Sequence, residues 1–256
     1  VGRSMSFLEG DPAAYIEIQL GNVPGRAMQF VSGTNEAITS SEFRDISSLN
    51  TPTGTNPFPL AAESWEIVSI NAADTSAGTG ARTVTLITMD ANYVIQAPTS
   101  VTLNGGTATI SGTHFRIIAA FVTTAGSGRV NAGDLTIRVA GGGTNRAVMM
   151  ADVGTAQIGA LTVPAGKTAR LQYFSIMTPK GNDVLIRSRI SNATVTDGAE
   201  ISGGNLSVYQ QINSTDVLAP LGLVEFTDFR LQAKSAINNN IQSSFQADFL
   251  ITDNPT

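Results

Sequence analysis

Three features of the chain carry residue types that do chemistry: the triplet Gly166-Lys167-Thr168, the single histidine His114, and a scatter of carboxylates. Gly-Lys-Thr can end a phosphate-binding loop, in which backbone amides wrap an anion and the lysine reaches the outer phosphates. Such a loop needs another glycine five residues before the Gly-Lys pair. Leu161 stands there, and the nearest glycine, Gly159, is two residues too early. The loop must also open a helix whose N-terminal amides hold the phosphate. Residues 169–176 instead alternate and are rich in aromatic and branched types, which is strand chemistry. Pro164 presets φ for a turn and Gly166 supplies the permissive position after it. The stretch reads as a hairpin, with no nucleotide.

His114 needs a nucleophile and an orienting acid from distant sequence before it can act as a relay. The local Ser-Gly-Thr-His-Phe-Arg-Ile has no nucleophile-elbow pattern. A capping or packing role at the mouth of an apolar strand is expected. Glu9 with Asp11, Asp152, Asp183, Asp197 with Glu200, and Asp253 lie in turn-like settings, where an aspartate mostly bonds its own backbone. Asp197-Gly198 resembles a hairpin turn. Asp74, Asp134 and Asp183 are turn carboxylates of the kind that serve calcium, but no Asp-x-Asp ladder of ligands accompanies them. Gly141-Gly142-Gly143-Thr144-Asn145 lies between two strands and reads as a flexible hairpin loop. The expectation is therefore no catalytic residue, no cofactor and no metal.

Two features suit contact with a partner. Arg187 and Arg189 share one strand face, with Arg170 on the strand before; exposed, they would pair with acids across an interface. The plainer reading is a solvated strand face. Residues 235–244 form an uncharged loop with Asn238, Asn239 and Asn240 at its tip, suited to hydrogen-bonding recognition of carbohydrate or protein. The plainer reading there is an ordinary loop.

The elements that must position these groups are strands. Alternation bounded by Gly, Asn and Asp clusters marks them at 15–20, 27–31, 65–70, 81–89, 93–96, 100–103, 108–110, 115–122, 135–139, 146–151, 184–190, 206–212, 223–231 and 245–251. The 115–122 run is nearly continuous and apolar, as for a strand buried on both faces. Phe245, Ala247, Phe249 and Ile251 fall on one face by period two. No helix of three turns is evident. The fold class is all-β: an antiparallel, jelly-roll-like β-sandwich with an irregular N-terminal arm. Residues 1–62, with Pro52, Pro57 and Pro59, read as arm and linker; 63–140 and 141–256 read as two sandwich blocks or as two sheets of one domain.

Bulk properties narrow the function. The 256-residue chain has no cysteine, which removes disulfides and thiolate metal sites and fits assembly in a reducing cytoplasm. A net charge of −5 gives no electrostatic footprint for nucleic acid. No apolar run is long enough to cross a bilayer, and no apolar core follows Arg3 to make a secretory signal. Charged residues are only 14%, so neutral polar groups, cheaper to desolvate at contacts, supply the polarity. That composition suits a protein held against copies of itself or other partners.

Several phrases together extend this. Gly-Thr-Gly-Ala-Arg-Thr-Val from Gly78, the Leu103-Asn104-Gly105 turn, Asn131-Ala132-Gly133-Asp134, and Val-Pro-Ala-Gly-Lys-Thr from Val163 occur in this order within residues 64–180. In that order they resemble virion structural proteins of marine tailed bacteriophages. The resemblance implies a non-enzymatic, oligomeric, jelly-roll-like domain on a virus particle, capsid-associated as a decoration or head-fibre protein, or tail-associated. Its partners would be copies of itself and other virion proteins, with neither nucleic acid nor membrane. A tail-fibre module that binds a host glycan or receptor is the alternative. The shared motifs read as turns, so no functional residue is carried over.

Overall fold

Strand-forming segments separated by turn residues pair antiparallel throughout the structure, a computed structural model that describes residues 12–49, 58–178, 183–192, 200–209, 211–214, 222–237 and 240–254. A short helix, α1 (Pro12–Gln19), leads into β1 (Arg26–Ile38) and β2 (Arg44–Asp45). Seven strands follow: β3 (Trp65–Ser69), β4 (Ala81–Met89), β5 (Thr99–Thr102), β6 (Thr107–Thr109), β7 (Arg116–Ala125), β8 (Leu135–Val139) and β9 (Asn145–Met149). The remainder comprises β10 (Ala160–Thr162), β11 (Lys167–Met177), β12 (Asp183–Asn192), β13 (Glu200–Tyr209), β14 (Gln211–Ser214), β15 (Gly222–Leu223), β16 (Thr227–Ser235) and β17 (Ile241–Asp253).

These strands make two pairs of sheets. In one pair the orders are β1-β17-β11-β14, with β15 beside β11, and β10-β16-β12-β13, with β2 beside β16. Setting aside the two-residue strands, the eight others fall, in chain order, as first-eighth-third-sixth in one sheet and second-seventh-fourth-fifth in the other. That interleaving is the order of a jelly roll, two Greek keys wound together. Its core holds Val31, Leu161, Ile176, Ile186, Phe229 and Phe249 from both sheets, with the Phe229 and Phe249 rings edge-on at 5.6 Å. The expected inward face of 245–251 is there: Phe245, Ala247, Phe249 and Ile251 all enter this core. The other pair, β6-β3-β8-β9 and β5-β4-β7, encloses its own core around Trp65, Leu86, Leu135 and Ile137. This second unit is inserted between β2 and β10 of the roll.

The all-β antiparallel class is as expected, but the boundaries differ. Residues 26–45 are not an arm: β1 pairs along its length with β17, and β2 pairs with β16. The second block does not begin at 141, because β9 completes a sheet of the insert. Pairing across more than two hundred residues of chain leaves no local trace. Gly33 shows how tightly β1 is built in, since a Cβ there would lie 1.8 Å from the Ile46 carbonyl oxygen. Only glycine allows that approach of two backbones.

Local readings are corrected as well. Residues 15–20 alternate like a strand but belong mostly to α1, where Pro12 sits at the first helical position and sacrifices no needed N–H. Residues 93–96 make no more than an isolated bridge, Ile95 to Met89, after a turn in which the Asp90 carboxylate accepts the N–H groups of Asn92 and Val94 and Tyr93 turns left-handed at φ 60°. The 115–122 run is not buried on both faces; β7 leaves Phe121 36% exposed. The 206–212 segment splits, β13 and β14 lying in different sheets. Val-Pro-Ala-Gly-Lys-Thr is a turn but not a hairpin, for β10 and β11 lie in different sheets. The Lys167 N–H donates to the Pro164 carbonyl at 3.3 Å with Gly166 at φ 70°, and the chain crosses from one roll sheet to the other.

Candidate functional site

The groups that could do chemistry are committed elsewhere. The Gly166 N–H donates to Glu225 (2.6 Å), Lys167 pairs with Asp253, and Thr168 donates to the Asn254 side chain (2.7 Å). All three fasten the crossing turn, and a strand rather than a helix follows. The second glycine loop is a filled cradle. Gly141 and Gly142 donate their N–H groups to the Glu66 carboxylate at 3.0 and 3.1 Å, and Arg138 Nε adds a bond of 2.6 Å. The Gly141 amide and then Arg138 hold the Glu66 carboxyl below its ordinary pKa. His114 is buried and stacked on Trp65, centroids 5.1 Å apart. Its Nε2 donates to the Ser111 carbonyl (3.0 Å), and its Nδ1 lies 2.9 Å from the Thr88 hydroxyl, which donates to the Gln96 side chain. Burial pushes this imidazole below its ordinary pKa. It serves packing, as its sequence setting suggests.

The turn carboxylates Asp74 and Asp134 are also occupied. Asp74 is fully buried and accepts four bonds, from the N–H groups of Ala81, Ala132 and Gly133 and the hydroxyl of Ser69, at 2.8–3.0 Å. It staples the loop after β3 to the loop before β8. Asp134 accepts the Ala151 N–H at 2.8 Å, and Asp183 opens β12. Among the described residues no group of three or more His, Cys, Asp or Glu is placed to hold a metal ion.

What the fold does build is a sharp contrast between the outer faces of the two roll sheets. The outer face of β16 carries Asp228, Arg230 and Gln232, and all three are buried. Arg116 from the insert donates to both oxygens of Asp228 (3.0 and 2.8 Å), and Thr162 donates to one of them (2.5 Å). Arg230 donates to both oxygens of Asp45 (2.8 and 2.6 Å), and the Gln232 amide adds a third bond. Around this polar network lie Tyr93 and Phe115 of the insert and Phe226 of the roll, with Tyr93 edge-on to each phenylalanine at 5.2 and 5.0 Å. Tyr93 and Phe226 both adopt left-handed backbone angles, costing about 1–3 kcal/mol each, to meet across the junction. A cavity of about 40 Å³ remains, lined in part by Phe58, Trp65, Arg116 and Arg230, with room for about one water. The insert is thus docked on one face of the roll through the buried Arg116–Asp228 pair, while Arg230–Asp45 fastens β2 of the roll over the same face.

The opposite sheet keeps an open face. Reading across β1, β17 and β11, its outward rows are Phe30-Asp248-Tyr173, Ser32-Gln246-Ser175 and Thr34-Ser244-Met177, and in the adjoining row Met28-Leu250-Arg170 the middle residue, Leu250, is buried. An extra residue at Gln172 shifts the parity of β11, so that Tyr173, Ser175 and Met177 point out while Phe174 and Ile176 point in. Most of these outward residues are uncharged. Phe30 is 55% exposed and Met177 51%. Asp248, between Phe30 and Tyr173, has its carboxyl pushed above the ordinary range by burial, against a smaller opposing effect of the Gln246 amide.

The expected contact residues are divided by this geometry. Arg187 and Arg189 do share a face, the covered one. Arg187 donates to Gln232 (2.9 and 2.7 Å) and lies 4.0 Å over the Phe43 ring, and Arg189 sits beside Arg230 in the register. Arg170 is on the other sheet, in the open face, because the chain changes sheets between β11 and β12. Asn238 and Asn239 lie outside the described residues; Asn240, at φ 57°, leads into β17. Asp45, Arg116, Asp228, Arg230 and Gln232 escape sequence reasoning. Alternation in Thr-Asp-Phe-Arg-Leu-Gln-Ala-Lys-Ser exposes a polar face, but nothing local tells a solvated face from a covered one.

No protein-family model matches the chain, and no curated protein matches it. Among solved structures the chain is similar to two described as "Structure of infectious bursal disease virus Gt strain" and "Structure of infectious bursal disease virus Gx strain". The first is 9% identical at a TM-score of 0.19, covering 93% of this chain and 78% of that one. The second is 9% identical at 0.12, covering 94% and 88%. At such scores neither likeness bears on the fold or the function.

Proposed function

We propose that the protein is a structural component of a virus particle, capsid-associated as a decoration or head-fibre protein, and that it acts through protein–protein contacts rather than chemistry. The observation that carries this is the asymmetry of the roll. One outer face is consumed by docking the insert, and the other presents a broad, mostly uncharged surface of Phe30, Ser32, Thr34, Tyr173, Gln246 and Met177. Jelly rolls serve viral shells and lectins alike, so the fold alone does not choose between them. The low charge of the chain and its resemblance to phage virion proteins favour the shell.

Sedimentation velocity of the purified protein, alone and with particles of its virus lacking it, tests the proposal. A defined oligomer or saturable co-sedimentation with particles is expected. A monomer at every concentration that also fails to co-sediment would overturn it. So would saturable binding on a glycan array with no particle binding, which would transfer the function to host recognition.

A further inference from the structure

One row of the open face holds the acid and the rings of an internal arginine site, with no arginine in the row. At the junction of insert and roll, Arg116 donates to both oxygens of Asp228 while its guanidinium lies over the rings of Phe115 and Phe58, at 3.9 and 5.0 Å. In the open face Asp248 of β17 stands directly opposite Phe30 of β1 and Tyr173 of β11, so a carboxylate is flanked by two rings. Neighbours so placed have Cβ atoms about 4.5–5.5 Å apart, which brings both rings within reach of a cation seated on the carboxylate. Phe30 is 55% exposed, and Tyr173 and Asp248 are half-buried. Among the described residues Asp248 accepts one side-chain bond, from the Gln246 amide to Oδ1 at 3.1 Å, which leaves Oδ2 for another donor. Few other charged or titratable groups face it. β1 brings only Met28, Phe30 and Ser32, and β11 brings Tyr173 and, one row away, Arg170. Helix α1, packed on β1, brings Glu17, whose carboxylate accepts from Asn22. Burial, which raises the Asp248 carboxyl, leaves its ionised form short of solvation in the free protein; a cation would supply what water does not.

We infer that the row Phe30-Asp248-Tyr173 receives an arginine side chain of a partner protein, its guanidinium bonded to Asp248 and stacked against the rings. Arginine fits better than lysine, since a planar guanidinium meets a carboxylate and a ring face together. The partner is a different protein rather than a second copy, because a chain of net charge −5 repels its own copies and attracts a basic neighbour. This inference rests on the reading of the open face as a contact surface and names one contact within it.

Titration with N-acetylarginine methylamide, followed by NMR, tests the site itself, and binding to particles lacking the protein tests its use. The arginine probe should shift the ring resonances of Phe30 and Tyr173 saturably, and the matching glutamine probe should not. Asp248→Asn should abolish those shifts and weaken particle binding by roughly tenfold or more, while Asp248→Glu, which keeps the charge, retains part of both. Phe30→Ala should also weaken both, with circular dichroism confirming that each variant folds. A bound guanidinium favours the ionised carboxylate, so particle binding should be full at neutral pH and fall as pH drops through the raised pKa of Asp248. An arginine probe that shifts no ring resonance selectively, or Asp248→Asn that binds particles as tightly as the native protein or more so, would overturn the contact while leaving the face to a neutral partner surface. Self-association that depends on Asp248, without particle binding, would overturn the choice of partner in favour of a second copy. Native protein that neither associates nor binds particles would remove both readings.

Discussion

Replacing Arg230 with alanine is expected to cost about 3–5 kcal/mol of unfolding free energy, because it removes the guanidinium that pairs with the buried Asp45 carboxylate. Arg230 and Asp45 are 2% and 4% exposed, and the guanidinium meets both carboxylate oxygens. Asp45 would keep its bond from Gln232 but lose both charge-assisted bonds from the guanidinium. The double replacement Arg230→Met with Asp45→Leu should recover most of the loss, since two apolar groups of similar volume need no partner. Urea denaturation of the wild type, both single variants and the double variant supplies the cycle. If the single variants lose less than about 1 kcal/mol, the network is open to water and the covered face is misread.

Asp74→Ala should be nearly as severe, at about 3 kcal/mol or more, for a different reason. The carboxylate is the shared acceptor for three backbone N–H groups and one hydroxyl drawn from three segments of the insert. Its removal leaves buried donors from Ala81, Ala132 and Gly133 without a partner. The damage should stay local. Hydrogen exchange should accelerate in residues 70–81 and 130–135, while amides in β11, β16 and β17 keep their protection up to the global limit. Uniform loss of protection across the roll would mean that insert and roll unfold as one unit.

How much of this was legible in the sequence depends on the range of the interaction. The edges of β4 and β8 and the inward face of β17 follow from alternation and turn residues close by, and all were readable. Pro164-Ala165-Gly166 was readable as a turn, but not its destination: the same turn chemistry serves a hairpin and a crossing between sheets. The partnership of β1 with β17 was not readable, because the two strands lie at opposite ends of the described chain and neither specifies the other locally. The site divides the same way. That a strand rather than a helix follows Gly166, and the packing role of His114, came from neighbours in sequence. The Arg116–Asp228 and Arg230–Asp45 pairs required tertiary covering of a polar strand face, which period-two patterning assigns to water by default. Arg187 and Arg189 illustrate the cost of that default, since the face they share is the one that meets Phe43 and Gln232.

The account turns on which roll face meets other molecules, and the absence of cysteine from the chain makes that directly measurable. Gln246→Cys places one thiol in the middle of the open face, and Thr144→Cys places one in the exposed loop after β8. Thiol labelling is compared for the free protein and for the protein bound in oligomers or on particles. The account predicts that assembly slows labelling at position 246 by about tenfold or more and leaves position 144 unchanged. Labelling at 246 that proceeds at its free rate in the assembled state would contradict it.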